Sequence, residues 1–324
     1  MSFWGAAMGA TTDRHAKYDA LIARCHGLAP VPTAVVHPCD AASLGGAVEA
    51  GAARIIVPIL VGPEAKIRRV AVQTGIDITG LEIVDAPYSH AAAEQAVVLV
   101  RAGRVAALMK GSLHTDEVMA AVVAKDTGIR TARRVSHVFI MDVPTYAKPL
   151  FITDAAVNIF PTLDDKADIV CNAIELAQAL GRAQPKVAIL SAVETVTSKI
   201  PSTIDAAALC KMAERGQIKG GILDGPLAFD SAISREAAAT KGIVSPVVGD
   251  ADILLVPDLE AGNMLAKELT FLANADAAGI VLGARAPIIL TSRADDVRTR
   301  LASCAVAAIY SHARRILAAG LAAQ

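Results

Sequence analysis

The chain has 324 residues, 54% apolar and 19% charged, which is material for about two domains and too hydrophobic for disorder. Thirty-one basic and 32 acidic residues leave a net charge of −1, and aromatics make up only 3%. Nucleic acid and anionic membrane are therefore excluded as expected partners. No apolar run reaches the roughly 18–20 residues of a membrane span. The first residues, MSFWGAAMGATTDR, lack the basic start and apolar stretch of a signal peptide. The five cysteines, Cys25, Cys39, Cys171, Cys210 and Cys304, form neither CxxC nor zinc spacing. A reducing, cytoplasmic location is the expectation.

In chain order, Thr33–His37 reads as a strand and Ala41–Ala50 as a helix. Arg54–Val61 is the next strand, stopped by Gly62-Pro63, and Leu81–Asp85 the third. A helix over Ala91–Arg101 and a strand over Val105–Met109 follow. Later runs at Val187–Leu190, Gly220–Leu223, Asp252–Val256, Ile280–Gly283 and Ile288–Leu290 each stop at a polar or Gly/Pro cluster. Leu301–Ala323 places Leu301, Cys304, Ala308, Ile309, His312 and Ile316 at helical spacing. Short apolar strands alternating with Ala-rich helices predict an α/β protein with mostly parallel sheet, covered on both faces.

Ligands of such sheets bind beyond the carboxyl ends of the strands. No GxGxxG follows the first strand and no GxxxxGK[ST] occurs, so a simple dinucleotide or P-loop enzyme is disfavoured. Four strand-end clusters remain. Lys110-Gly111-Ser112-Leu113-His114-Thr115-Asp116 offers backbone N–H groups and hydroxyls to an anion, or simply caps a helix. Arg130, Arg133 and Arg134 can clamp a phosphate, or form a solvated basic turn. Asp258, Glu260 and Asn263 suit a base, a metal or a positioning role, against a capped helix start. Ser292-Arg293 followed by Asp295-Asp296 offers a hydroxyl, a guanidinium and a base, again against a cap.

Six ordered segments carry a resemblance: MKGSLHTDEV (109–118), GIRTARRVSHVF (128–139), LFITDAAVNIFP (150–161), LDGPLAFDSAIS (223–234), SPVVGDADILLVPDLEAGNMLAK (245–267) and PIILTSRADD (287–296). Together they resemble the phosphotransacetylase and phosphotransbutyrylase family over nearly the whole chain. The resemblance implies two three-layer α/β domains with mostly parallel sheets and an interdomain cleft, similar to the isocitrate/isopropylmalate dehydrogenase architecture. It places residues 1–141 and 284–324 in a discontinuous first domain and 142–283 in an inserted second one. It implies transfer of a short acyl group between CoA and inorganic phosphate in a ternary complex, with acyl-CoA, inorganic phosphate and acyl phosphate as ligands. A homodimer is implied, with no metal and no organic cofactor beyond the CoA substrate.

By the same resemblance, Ser292 and Arg293 hold the phosphate and polarise the carbonyl. Ser112, His114, Thr115 and Arg130 line the acyl phosphate site, and Asp258, Glu260 and Asn263 lie in the matching cleft block. Acetyl-specific members carry their catalytic Asp further after the Ser-Arg pair; the gap-free counterpart here is Thr299, so Asp296 or Asp295 takes that role. Ala155 stands where many acetyl-specific members have Cys. The Ser-Arg-Ala-Asp wording leans toward the butyryl side. Two other readings are a metal- and NAD(P)-dependent decarboxylating dehydrogenase, with Asp250, Asp252 and Asp258 as its acids, and a non-catalytic acyl-CoA or acyl phosphate sensor.

Overall fold

The computed structural model describes residues 15–290 and 297–322. Its strands are β1 (Val31–Val36), β2 (Ile56–Gly62), β3 (Glu82–Asp85), β4 (Ala107–Lys110), β5 (Ser136–Asp142), β6 (Leu150–Thr153), β7 (Lys186–Leu190), β8 (Ile222–Leu227), β9 (Ile253–Leu255), β10 (Asp276–Leu282) and β11 (Ile288–Ile289). The helices are α1 (Ala16–Arg24), α2 (Ala41–Ala52), α3 (Glu64–Thr74), α4 (Ser89–Arg101), α5 (Thr115–Val123), α6 (Leu163–Ala179), α7 (Pro201–Glu214), α8 (Phe229–Ile233), α9 (Arg235–Thr240), α10 (Leu259–Leu272) and α11 (Val297–Ala322). Local chemistry sets several starts. Asp40 accepts from Ser43 N at 2.8 Å to open α2, and the Thr162 and Asp165 side chains cap α6 reciprocally.

All strands join one eleven-stranded sheet, in the order β3-β2-β1-β4-β11-β10-β5-β6-β9-β7-β8. The expected pair of separate sheets is therefore corrected to one continuous sheet. Parallel pairing dominates both ends. The centre is antiparallel, through β11–β10, β10–β5 and β5–β6. The reason is chain length. Only residues 283–287 join β10 to β11, and only 143–149 join β5 to β6. A parallel crossover needs a dozen or more residues, so both connections must fold back.

Three reversals at the centre have a consequence for the site. The carboxyl ends of β1, β4 and β11 lie on one edge of the sheet, and those of β6, β9 and β7 lie on the opposite edge. After the reversal at β10, β11 pairs with β4, and α11 packs on α1 and α2.

The two faces of the sheet differ. One face carries a single core from end to end, joining Tyr18, Leu44 and Ile67 to Ile140, Phe151, Ile174 and Leu209. The other carries two cores. One includes Val97, Val118, Val122 and Ile288 under α4 and α5. The other includes Met141, Ile152, Ala232 and Ala266 under α8 and α10. Strand alternation sorts the side chains of β5: Val138 and Ile140 join the continuous core, while Met141 joins the divided face. His137 and Phe139 therefore sit on the divided face, at its centre.

Candidate active site

The first group of predicted residues gathers where β1 and β4 end. His37, just past β1, adopts φ +54°, a left-handed conformation that costs a non-glycine residue energy and is common at functional sites. Gly111 permits the close approach of β4 to this turn, since a Cβ there would lie 2.3 Å from the Val36 carbonyl oxygen and 2.7 Å from that of His37. Ser112 ties the two strand ends together. Its hydroxyl donates to the His37 carbonyl at 2.9 Å and accepts from Cys39 N at 3.1 Å. It also lies 3.3 Å from His37 Nδ1. The single Ser112 proton is thus committed inside the protein, and burial holds the His37 imidazole below its ordinary pKa.

His114 takes the N-cap position of α5 and Thr115 its first turn. The Glu117 carboxylate accepts from His114 N at 2.7 Å and from Ser89 Oγ at 2.5 Å. Those bonds hold Glu117 below the usual carboxylate range. A Ser/Thr cap of this helix is corrected, since His114 occupies the cap and Glu117 closes it, while Asp116 lies in the first turn as expected.

Ser292, Arg293, Asp295 and Asp296 lie outside the described residues. Their flanks are fixed. Leu290 N donates to the Gly279 carbonyl at 3.1 Å, and Arg298 pairs with Asp19 at 2.9 Å. Thr299, the gap-free counterpart of the family's acid, is buried in the first turn of α11.

The second group sits at the opposite edge. Asp258 caps α10 by accepting from Ala261 N at 2.9 Å, and Glu260 is exposed in the first turn of that helix. Asn263 Nδ2 donates to the Ala155 carbonyl at 3.2 Å, joining α10 to the loop after β6. Arg130 forms a backbone bridge with Ala284, just past β10, and its side chain is exposed. Arg133 and Arg134 are engaged elsewhere, with Glu175 and with Asn158. Of the three arginines, Arg130 is the one whose side chain has no hydrogen-bond or ion-pair partner among the described residues. The two groups do not meet on one edge. They lie on the divided face, one group by α5 and the other by α10.

Two residues of this region were not anticipated. Asp154 is 2% exposed, and its carboxylate accepts from Ala156 N and Val157 N at 2.9 Å, His137 N at 3.1 Å and Asn158 Nδ2 at 2.6 Å. It locks the loop on which Asn263 docks. His137 is wholly buried, and neither ring nitrogen has a hydrogen-bond partner. Burial pushes its pKa down to about 4, so the ring is neutral at pH 7. His137 stands between Ser136 and Val138 in an otherwise apolar strand, and the sequence carried no signal of its burial.

The acids of the dehydrogenase reading are occupied. Lys148 Nζ lies 2.7 Å from Asp252 and Lys186 Nζ 2.5 Å from Asp250, while Asp258 is a helix cap. Among the described residues no group of three or more His, Cys, Asp or Glu is arranged to hold a metal ion.

Comparisons with known proteins give the family. A family profile described as phosphate acetyl/butaryl transferase matches residues 88–308. A phosphate acetyltransferase from Rhizobium meliloti is 68% identical over 92% of this chain and 95% of its own length. The chain belongs to the phosphate acetyl/butyryl transferase family. A phosphate butyryltransferase from Clostridium acetobutylicum is 45% identical over 78% of this chain and 84% of its own. A branched-chain phosphotransacylase from Enterococcus faecalis superimposes with a TM-score of 0.75 at 29% identity, over 87% of this chain and 99% of its own. The protein is accordingly an acyltransferase, and the dehydrogenase and sensor readings are not favoured.

Proposed function

We propose that this acyltransferase moves an acetyl group, in preference to longer acyl groups, between CoA and inorganic phosphate by direct transfer in a ternary complex. The observation that carries the acetyl assignment is the 68% identity to an acetyltransferase, against 45% to a butyryltransferase. That ordering runs against the butyryl lean of the Ser-Arg-Ala-Asp wording.

Direct transfer is favoured by the cysteines. Burial pushes all five thiols up, Cys25 to about 11 and Cys210 and Cys304 to about 12. None of them is a ready thiolate for an acyl-enzyme. The thiol of CoA needs help as well, because an ordinary thiol near pKa 8.5 is only a few per cent ionised at pH 7. In our reading Asp296, or Asp295, accepts the CoA thiol proton. The sulfur attacks the carbonyl carbon of acyl phosphate, the C–S bond forms, the C–O bond to phosphorus breaks, and phosphate leaves with that electron pair. Arg293 and Ser292 hold the phosphate and the developing oxyanion. Ser112, His114, Thr115 and Arg130 position the acyl phosphate, and Asp258, Glu260 and Asn263 shape the far wall.

The same reading keeps residues 1–141 with 284–324 and residues 142–283 as two lobes of one sheet, with the site over their junction. It places the enzyme in the cytoplasm with no bound cofactor. It also makes it a homodimer: Met264, Phe271 and Leu272 of α10 and neighbouring Ile159 and Phe160 are exposed apolar residues, which a second copy would cover.

The test is phosphate-dependent thiol release from acyl-CoA of two to six carbons. Release that is fastest with acetyl-CoA is expected. No release with any of them sinks the proposal, and a butyryl optimum sinks the acetyl assignment.

A further inference from the structure

We propose that a cavity between α1 and the turn after α6 is a second binding site, for an amphipathic anion: a carboxylate or phosphate group on a hydrocarbon body. The site stands apart from the acyl transfer reading and from the residues assigned to it.

The cavity has a volume of about 390 Å³. Small-molecule sites usually span about 300–1,000 Å³, and they favour places where two parts of a fold meet. This cavity has α1 on one side, with Pro149 before β6 and Leu180–Arg182 after α6 on the other. On α1 the wall is formed by Lys17, Ala20, Leu21 and Arg24, the i, i+3, i+4 and i+7 positions of one helix face. That stripe is roughly 10 Å long at about 1.5 Å per residue. The floor is cut into the continuous core, where Leu21, Ile140 and Phe151 are buried, and the wall reaches solvent at exposed Ala16 and Ala20.

Both ends of the stripe are held. Lys17 Nζ donates to Asp142 at 2.6 Å and to the Val143 carbonyl at 2.8 Å. Arg24 Nη1 donates to the Leu180 carbonyl at 2.8 Å, which ties α1 to the opposite wall. A ligand therefore meets a formed site and orders little on binding.

Charge sets the headgroup. Lys17, Arg24 and Arg182 line the cavity, and no acidic residue does. Lys17 is neutralised by Asp142. Arg24 bonds the carbonyls of Leu180 and Ala179, so its charge has no carboxylate partner among the described residues. Arg182 Nε lies 3.8 Å from Asp252, which already has Lys148 at 2.7 Å. The turn at 180–182 thus carries unspent positive charge from two guanidinium groups, and their planar N–H forks match carboxylate or phosphate oxygens. The lining also sets the body. It includes no Ser, Thr, Asn or Gln, so no side chain there recognises a hydroxyl or an amide. A nucleotide base would bury its polar edge unpaired, whereas a hydrocarbon gains by covering Leu21, Ile140 and Phe151.

Calorimetric titration of the full chain with octanoate, octyl phosphate, butyrate, octanol and inorganic phosphate tests the site. Octanoate or octyl phosphate should bind at a single site, and the tighter of the two names the oxyanion. Butyrate, octanol and inorganic phosphate should bind at least about tenfold more weakly, because each lacks either the chain or the charge. Arg24→Ala combined with Arg182→Ala should weaken the octyl anions at least about tenfold. Ala20→Trp, a large side chain at an exposed helix position, should block them. Thermal melts confirm folding, and if Ala20→Trp does not fold, the arginine double variant decides alone. Failure of both octyl anions to bind the wild type overturns the site, as does affinity within about twofold of wild type in the folded variants. Octanol or inorganic phosphate binding as tightly as the octyl anions overturns the ligand class.

Discussion

One face of the sheet, the closed face, carries a single continuous core and the other, the open face, carries two separate ones, and the two use the same strands differently. On the closed face Tyr18 is fully buried, its hydroxyl donates to the Ile140 carbonyl at 2.5 Å and accepts from Ala278 N at 2.5 Å. That one side chain satisfies strand groups of both β5 and β10 and joins the halves of the molecule. On the open face β5 presents wholly buried His137, its ring nitrogens without partners among the described residues, and half-buried Phe139, with Gly279 of β10 leaving room for both rings. Alternation along a strand lets one residue serve stability and the next serve chemistry. The closed face carries one continuous core from end to end of the sheet, and our proposed site lies over the other face.

Substitutions can break this contrast. The largest effect is expected on the open side. Arg293→Ala should lower kcat/KM on the order of 100–1000-fold, the usual loss for one preorganised oxyanion donor, with the melting temperature nearly unchanged. Unchanged kinetics would remove Arg293 from the site. On the closed side Tyr18→Ala should cost about 3–5 kcal/mol in denaturant unfolding, as large aromatic truncations in cores do. An unfolding midpoint equal to wild type would show that the closed face is not the brace. The smallest effect is at the edge of the sheet. Lys186 and Lys148 hold Asp250 down to about 2, against 3.8 ordinarily. Its ion pairs therefore stabilise the fold above pH 4 and lose that contribution as pH falls from about 4 toward 2. Solvent screening keeps the effect near 1 kcal/mol or less. Asp250→Asn should flatten that part of the acid unfolding curve, and an unaltered curve would contradict the pairing.

Much of this architecture was legible before any coordinates. The β-branched runs at Ile56–Gly62 and Lys186–Leu190 had no competing reading, and Asp258 was already recognisable as a cap. The antiparallel centre was harder. Ser136–Asp142 and Leu150–Thr153 are as apolar as the parallel strands, so composition does not give their direction. The evidence lay in the short connections 143–149 and 283–287, which cannot carry a crossover. The site was less legible, because Arg133 and Arg134 look like ligands in sequence until their guanidinium groups find partners inside the fold. His137 and Phe139 read as ordinary strand residues.

The central claim is direct acyl transfer over the open face, and isotope exchange tests it most directly. Labelled inorganic phosphate is incubated with acetyl phosphate and the enzyme, with and without CoA. The account predicts label in acetyl phosphate only when CoA is present. Exchange without CoA would mean that the acyl group passes through the enzyme, and no exchange under either condition would contradict acyl transfer altogether.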